Sequence, residues 1–169
     1  ASRPHGRPDV VVDLRDLGDG NRHEVTLVVP GGGRSLEVAA QVFAFHGLEV
    51  VDAKVDLRRR GGMRATMVVS TGFGEPADPR LLAQDLRRAV DGGLPAAMRN
   101  ALGRLSAGPD DRTRVSVLVN PRTDAQGVVL EVRARDHPGL LATIVSAILG
   151  TGARIDWARV RTRGSAVED

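Results

Sequence analysis

Arg135, Asp136, His137, Pro138, Gly139, Leu140 and Leu141 make up the run whose residue types and spacing could do chemistry. An apolar strand runs into it and an apolar helix runs out of it. Asp136 places a carboxylate just ahead of the free N–H groups of a helix start, and Gly139 lets backbone approach closely. Such a corner has two uses. The carboxylate can cap the helix, or the carboxylate and the N–H groups together can hold a small zwitterionic ligand.

The elements on either side are what must position it. Val128, Val129, Leu130, Val132 and Ala134 supply strand residues upstream. Pro138 suits the first turn of a helix, where its missing N–H is no loss. Leu140, Leu141, Ile144, Val145, Ile148 and Leu149 then recur on one helical face until Gly150 and Gly152 end it.

Other chemistry is thinly represented. The chain has no cysteine, so a disulfide framework, a thiol nucleophile and a cysteine-ligated metal are excluded. His5, His23, His46 and His137 fall one to a segment, a pattern of surface or packing histidines and not of a metal site. Asp13, Asp16 and Asp19 miss the calcium-loop pattern and read as turn and surface residues. Gly31 to Ser35 lacks the lysine of a phosphate loop. Neither a Gly-Ser element with paired aspartates nor a His-Asp metal pair with further histidines is present, so the chain is expected to be non-catalytic, with no cofactor of its own.

Across 169 residues, 41% hydrophobic content supports a folded core for one ordinary domain or two small ones. The 24 basic residues are offset by 21 acidic ones to a formal charge of +3, which is no nucleic-acid signature. No apolar run approaches membrane length and no leader-like segment opens the chain, so a soluble cytoplasmic protein is expected. The start at Ala1 reads as that of an excised fragment.

Residues 1–8 read as a tail or linker, and residues 10–14 as a short strand that forms a hairpin through the turn-rich segment 17–21. A strand with Val25, Leu27 and Val29 precedes a helix whose face is Leu36, Ala39, Ala40, Phe43 and Ala44, stopped by Gly47. Val51, Ala53, Val55 and Leu57 alternate with Asp52, Lys54, Asp56 and Arg58, the pattern of a half-buried strand. Arg58, Arg59 and Arg60 form a solvated turn, residues 63–70 a third strand and 71–79 a loop. Asp78 and Pro79 open a helix over about residues 80–90, with Leu81, Leu82, Leu86, Ala89 and Val90 toward the core. Residues 94–105 suggest one more helical piece, and 114–119 a strand closing the unit.

The order from Glu24 is thus strand, helix, strand, strand, helix, strand, the βαββαβ ferredoxin-like plan of an α+β protein. It occurs twice. An offset of 105 residues carries Gly47 onto Gly152 and Ala53-Lys54-Val55 onto Ala158-Arg159-Val160. The expected organisation is a linker and hairpin over 1–23, a first unit over 24–120 and a second, truncated unit over 126–169, which should expose apolar surface.

With the strand, the Asp136-His137-Pro138-Gly139-Leu140 turn and the helix in place, the second unit resembles an ACT domain, the amino-acid-sensing module. The pair resembles the tandem ACT domains at the C-terminus of the bifunctional PII-protein uridylyltransferase/uridylyl-removing enzymes, in particular the actinobacterial type, which can act as an adenylyltransferase. FAFHGLEVVDAKV, GFGEPADPRLLAQDLRRAVDGGLP and RVSVLVN leading into VVLEVRARDHPGLL also carry the likeness.

The resemblance implies an allosteric module that senses an amino acid, glutamine, behind nucleotidyltransferase and phosphohydrolase domains that use a divalent metal such as Mg and act on PII protein. It implies ACT–ACT pairing, with ligand between the turn of one unit and the second strand of the other. Carried onto this chain, one site comprises Asp136, His137, Gly139, Leu140 and Leu141 facing Glu49, and a second runs from Gly31 to Arg34 facing Arg154. Asp136 would meet the ligand's ammonium group, and the N–H groups of Gly139 and Leu140 its carboxylate. The first turn, Gly31-Gly32-Gly33-Arg34, lacks the acid and the proline, and Glu49 and Arg154 stand where such families often have asparagine.

Two other readings share the plan. An ACT pair can regulate a different enzyme of amino-acid metabolism. An RNA-binding βαββαβ module would need aromatic residues on its central strands, whereas residues 63–70 contain none. Neither nucleic acid nor membrane is therefore an expected partner.

Overall fold

The structure, a computed structural model, describes residues 10–18, 21–30, 32–57, 62–71, 78–106, 116–122, 127–133 and 139–161. Its elements in chain order are β1 (Val11–Asp16), β2 (Arg22–Val29), α1 (Gly33–Phe45), β3 (Glu49–Leu57), β4 (Met63–Ser70), α2 (Pro79–Gly92) and α3 (Ala96–Ser106). They continue as β5 (Ser116–Pro121), β6 (Val128–Arg133), α4 (Leu140–Gly150) and β7 (Trp157–Arg161). The expected α+β architecture of tandem ferredoxin-like units is present.

Local chemistry sets most boundaries. Gly47, at φ +69°, accepts the left-handed conformation that ends α1. Its N–H donates to Ala44 O at 3.0 Å and the Leu48 N–H to Phe43 O at 2.9 Å, the paired bonds of a Schellman turn. At α2, the Asp78 carboxylate accepts from the Arg80 N–H at 2.9 Å, with Pro79 as the first helical residue.

The main sheet has the order β1-β2-β4-β3-β7, all neighbours antiparallel. Every second residue of its central strands is buried: Val25, Leu27 and Val29 of β2, Ala53, Val55 and Leu57 of β3, and Met63, Ala65, Met67 and Val69 of β4. They meet Leu36, Ala39, Val42 and Phe43 of α1 and Leu82, Leu86 and Ala89 of α2 in one apolar core. Leu81, expected in that core, is 53% exposed. Its neighbours Leu82 and Leu86 occupy the buried face of α2, and Leu81 lies one position off it.

The hairpin expected of the N-terminal segment is present, with β1 paired to β2 from Val11↔Val28 to Asp16↔His23. The strand expected over residues 114–119 to close the first unit does not join this sheet. β5 instead pairs with β6 in a separate two-stranded sheet, from Ser116↔Arg133 to Pro121↔Val128. The offset of 105 residues explains both: it carries β1 onto β5 residue for residue, and the pair Val11↔Val28 onto Ser116↔Arg133. The repeating unit therefore begins one strand before Glu24, and the hairpin read from the N-terminal segment is part of it.

Candidate functional site

The two units meet through β3 and β7 and through α1 and α4. The strand register runs Asp52↔Arg161, Ala53↔Val160, Lys54↔Arg159, Val55↔Ala158 and Asp56↔Trp157. Under the repeat offset the first and last of these pairs exchange, and Lys54 faces Arg159, its own equivalent. The junction is thus a pseudo-two-fold one, as when identical modules pair side by side. A hydrogen bond from the Leu57 N–H to Asp156 O, at 2.9 Å, extends the ladder beyond the paired strands.

The helices obey the same relation. A β-carbon on Gly33, at the start of α1, would come within 2.9 Å of Leu149 Cδ2, near the end of α4. One on Gly139, at the start of α4, would lie 3.8 Å from Ala44 Cβ, near the end of α1. Ala44 and Leu149 are repeat equivalents. Each helix start therefore lies against the other's last turn, and small residues permit the approach. Val145 of α4 is 3% exposed and belongs to the main core, with Leu141, Leu149, Ile155, Ala158 and Val160 packed around it.

At the α4 start, Gly139 precedes the first helical residue with φ +86°, a conformation that favours glycine. Its carbonyl accepts from the Thr143 N–H and the Thr143 hydroxyl, each at 3.0 Å. Leu140 and Leu141 follow, half-buried, in the first turn, whose N–H groups have no carbonyl four residues back within the helix. Asp136 and His137 lie outside the described residues, so the capping and ligand-holding readings of Asp136 both stand.

Glu49 is the first residue of β3, opposite Ser70 and half-buried. The Schellman turn brings the chain from Ala44, the residue against Gly139, to Glu49 within five residues. Glu49 and the α4 start thus belong to one end of the helix pair. At the other end Arg34 is exposed in the first turn of α1, and Gly31 lies outside the described residues. Arg154 is 72% exposed, and its Nε donates to Asp156 Oδ1 at 3.0 Å. The repeat makes Glu49 and Arg154 equivalents, so the two ends carry opposite charge at matching positions.

Sequence reasoning placed Ala44 and Leu149 on apolar helix faces and Gly33 in the first turn without bringing them together. Gly33, Ala44 and Leu149 set the helix spacing, and the signal available for them was the offset that maps Ala44 onto Leu149. It also left the partner of His46 open. His46 Nε2 lies 2.8 Å from Asp85 Oδ2, tying the end of α1 to α2, with its ring edge-on to Phe45 at a centroid distance of 5.6 Å. Among the described residues, no group of three or more His, Asp or Glu is arranged to hold a metal, and no helix is long and apolar enough to cross a membrane.

These features define a class: a tandem pair of ferredoxin-like α+β units joined across a pseudo-two-fold strand and helix contact. No family model and no solved structure matches the chain. Among curated proteins it is 33% identical over 167 residues to the bifunctional uridylyltransferase/uridylyl-removing enzyme of Mycobacterium tuberculosis, covering 89% of this chain and 20% of that protein. The enzyme of the same name from Streptomyces coelicolor is 31% identical over 157 residues, 86% of this chain and 19% of that protein. That from Rhodospirillum rubrum is 30% identical over 139 residues, 77% of this chain and 15% of that protein. The chain is homologous to a fragment of the bifunctional uridylyltransferase/uridylyl-removing enzymes. It spans about a fifth or less of the length of these relatives.

Proposed function

We propose that this chain is the regulatory ACT pair of a PII-protein nucleotidyltransferase/nucleotidyl-removing enzyme and that it senses an amino acid, glutamine, without catalytic residues of its own. The observation that carries this reading is the pseudo-two-fold junction. It brings the start of α4 to the end of α1, from which the chain turns directly to Glu49. Helix N–H groups favour a carboxylate and an acidic side chain favours an ammonium group, so that end suits the zwitterionic head of an amino acid. The opposite end, with Arg34 and Arg154, lacks the acid and is the weaker of the two sites.

Regulation follows if ligand binds one arrangement of the units better than another, because only differential affinity shifts such an equilibrium. Upstream catalytic domains using a divalent metal would then remove nucleotide from PII protein when glutamine is plentiful, in the cytoplasm. Nucleic acid is not a partner in this reading: Trp157 is the one aromatic residue on the described strands, where a base-stacking sheet needs several.

Calorimetric titration of the chain with glutamine and a panel of other amino acids, alongside Asp136→Ala, tests the reading. Saturable glutamine binding that Asp136→Ala weakens is the expected result. A folded chain that binds no amino acid would make the pair a structural or docking module and Asp136 a helix cap.

A further inference from the structure

The face of the main sheet turned away from α1 and α2 carries the residues that alternate with the buried ones, and the strand registers set them in rows across it. In one row Asp56 of β3 faces Arg64 of β4 on one side and Trp157 of β7 on the other. In another Asp52 faces Arg161, and Glu24 of β2 faces Arg15 of β1, whose guanidinium donates to it at 3.4 Å. Each of these acids has a cation opposite. The row between them runs Asp13, Thr26, Thr66, Lys54 and Arg159. Its two cations are neighbours, whereas its acid, Asp13, lies three strands from Lys54, roughly 14 Å away and beyond the Debye length at physiological salt.

The two cations are also held close. The bond from the Leu57 N–H to Asp156 O makes those residues a hydrogen-bonded pair, and such pairs alternate along an antiparallel ladder. Lys54 and Arg159, three places along, are therefore a non-hydrogen-bonded pair, the kind whose Cα atoms approach to about 4.5 Å. Arg159 has a carboxylate in range, Asp52 at 3.5 Å, but that oxygen makes no hydrogen bond, and Asp52 also stands opposite Arg161. Among the described residues the Lys54 ammonium group has neither an ion pair nor a hydrogen bond. Thr66, exposed on β4, faces Lys54 from the other side and adds a hydroxyl to the same patch.

We propose that this patch is an oxyanion site: a phosphate group, free or on an organic molecule, sits between Lys54 and Arg159, with the Thr66 hydroxyl as a further donor. Like charges directly opposite each other weaken strand pairing, and a bound dianion turns that repulsion into charge-assisted hydrogen bonds. Two positive charges and a hydroxyl match the charge of a phosphate group and its three or more acceptor oxygens better than a carboxylate with two. Lys54 belongs to the first unit and Arg159 to the second, so the same anion ties the units together across their junction. Trp157, on the same strand and face as Arg159 and 51% exposed, offers a ring to the organic part of an organic phosphate. The site lies on the opposite face of the sheet from the helix pair and shares no residue with the proposed amino-acid site, so the two can fail separately.

The test is a titration of the chain with inorganic phosphate at constant ionic strength, followed by the NMR shifts of the β3 and β7 amides and of the indole N–H of Trp157, the one tryptophan. Saturable shifts centred on Lys54 and Arg159 are expected. Lys54→Gln and Arg159→Gln should each weaken binding at least about tenfold, with unchanged β2 amide shifts as the control for folding. Thr66→Val should weaken it less, and Glu49→Gln not at all. Phenyl phosphate separates the two sources of the group. Tighter binding than phosphate, lost in Trp157→Leu, assigns an organic phosphate, and equal affinity assigns free phosphate. The absence of saturable shifts, the same shifts with chloride, or an affinity indifferent to both charge changes would overturn the proposal and leave the patch a solvated face.

Discussion

Lys54 of β3 stands directly opposite Arg159 of β7, and each is the other's equivalent in the internal repeat. Two like charges therefore face each other at the centre of the pseudo-two-fold junction, an arrangement that opposes strand pairing. Asp52 is the nearby compensation, with Oδ1 3.5 Å from Arg159 Nη2, although that oxygen is buried and makes no hydrogen bond. Apolar packing by Ala53, Val55, Ala158 and Val160 on the other face of the same strands carries the contact.

A cycle of Asp52→Asn and Arg159→Gln measures this compensation. Both side chains are about half exposed, so the favourable coupling should be only about 0.5 kcal/mol, and added salt should shrink it. Urea unfolding at two salt concentrations checks both statements. An unchanged coupling at high salt would rule out an electrostatic origin.

The His46–Asp85 contact should be worth more. Its side chains are only 14% and 20% exposed, and it joins helices whose packing closes the first core. Asp85→Ala should cost about 1 kcal/mol, and almost nothing further once His46→Ala is present. Denaturant midpoints of the four proteins in the cycle decide this.

Two glycines should respond in opposite directions to alanine. Gly47 has φ +69° and open space around it, so Gly47→Ala should destabilise by about 1 kcal/mol through backbone strain alone. Gly103 lies inside α3, also in open space but without a positive φ, so Gly103→Ala should stabilise by about 0.5–1 kcal/mol. Thermal unfolding of both variants is sufficient, and shifts of the same sign would contradict the assigned backbone conformations.

At the helix junction, Gly33→Ala places a methyl group 2.9 Å from Leu149 Cδ2, the far end of a flexible side chain. The cost should be about 1 kcal/mol and should fall when Leu149→Ala removes the obstruction. Additive losses in the double variant would mean that α1 and α4 do not approach here.

Glutamine affinity should separate the two ends of the helix pair. Glu49→Gln should weaken binding by about tenfold or more, the worth of a charged hydrogen bond. Arg154→Gln should have little effect, because that side chain is held by Asp156 and lies at the other end. Titration calorimetry distinguishes them, and the reverse order of effects would move the ligand to the Arg34 end.

Much of the architecture could be read from local pattern. Alternation marked the buried faces of β3 and β4, Asp78 and Pro79 opened α2, Gly47 closed α1, and the 105-residue offset disclosed the tandem. These features report on a residue and its near neighbours, where backbone sterics and capping operate. Of the residues proposed for the site, the positions of Gly139 at the head of α4 and Glu49 at the head of β3 could be read from the sequence. The spacing between them could not, because it is set by Gly33, Ala44 and Leu149, which look like ordinary helix residues.

Beyond the N-terminal hairpin, strand partnership belonged to the tertiary structure. The apolar alternation of residues 114–119 states which side chains seek burial, but not which neighbour receives the backbone N–H and C=O groups, since every strand offers the same ones. β1 occupies the edge of β2, its neighbour in sequence, and β5 takes the equivalent place beside β6. The sequence by itself determined the elements, their buried faces and the repeat. Only the three-dimensional packing decided which further strands pair, how β3 and β7 join the two units, and that Lys54 comes to face Arg159.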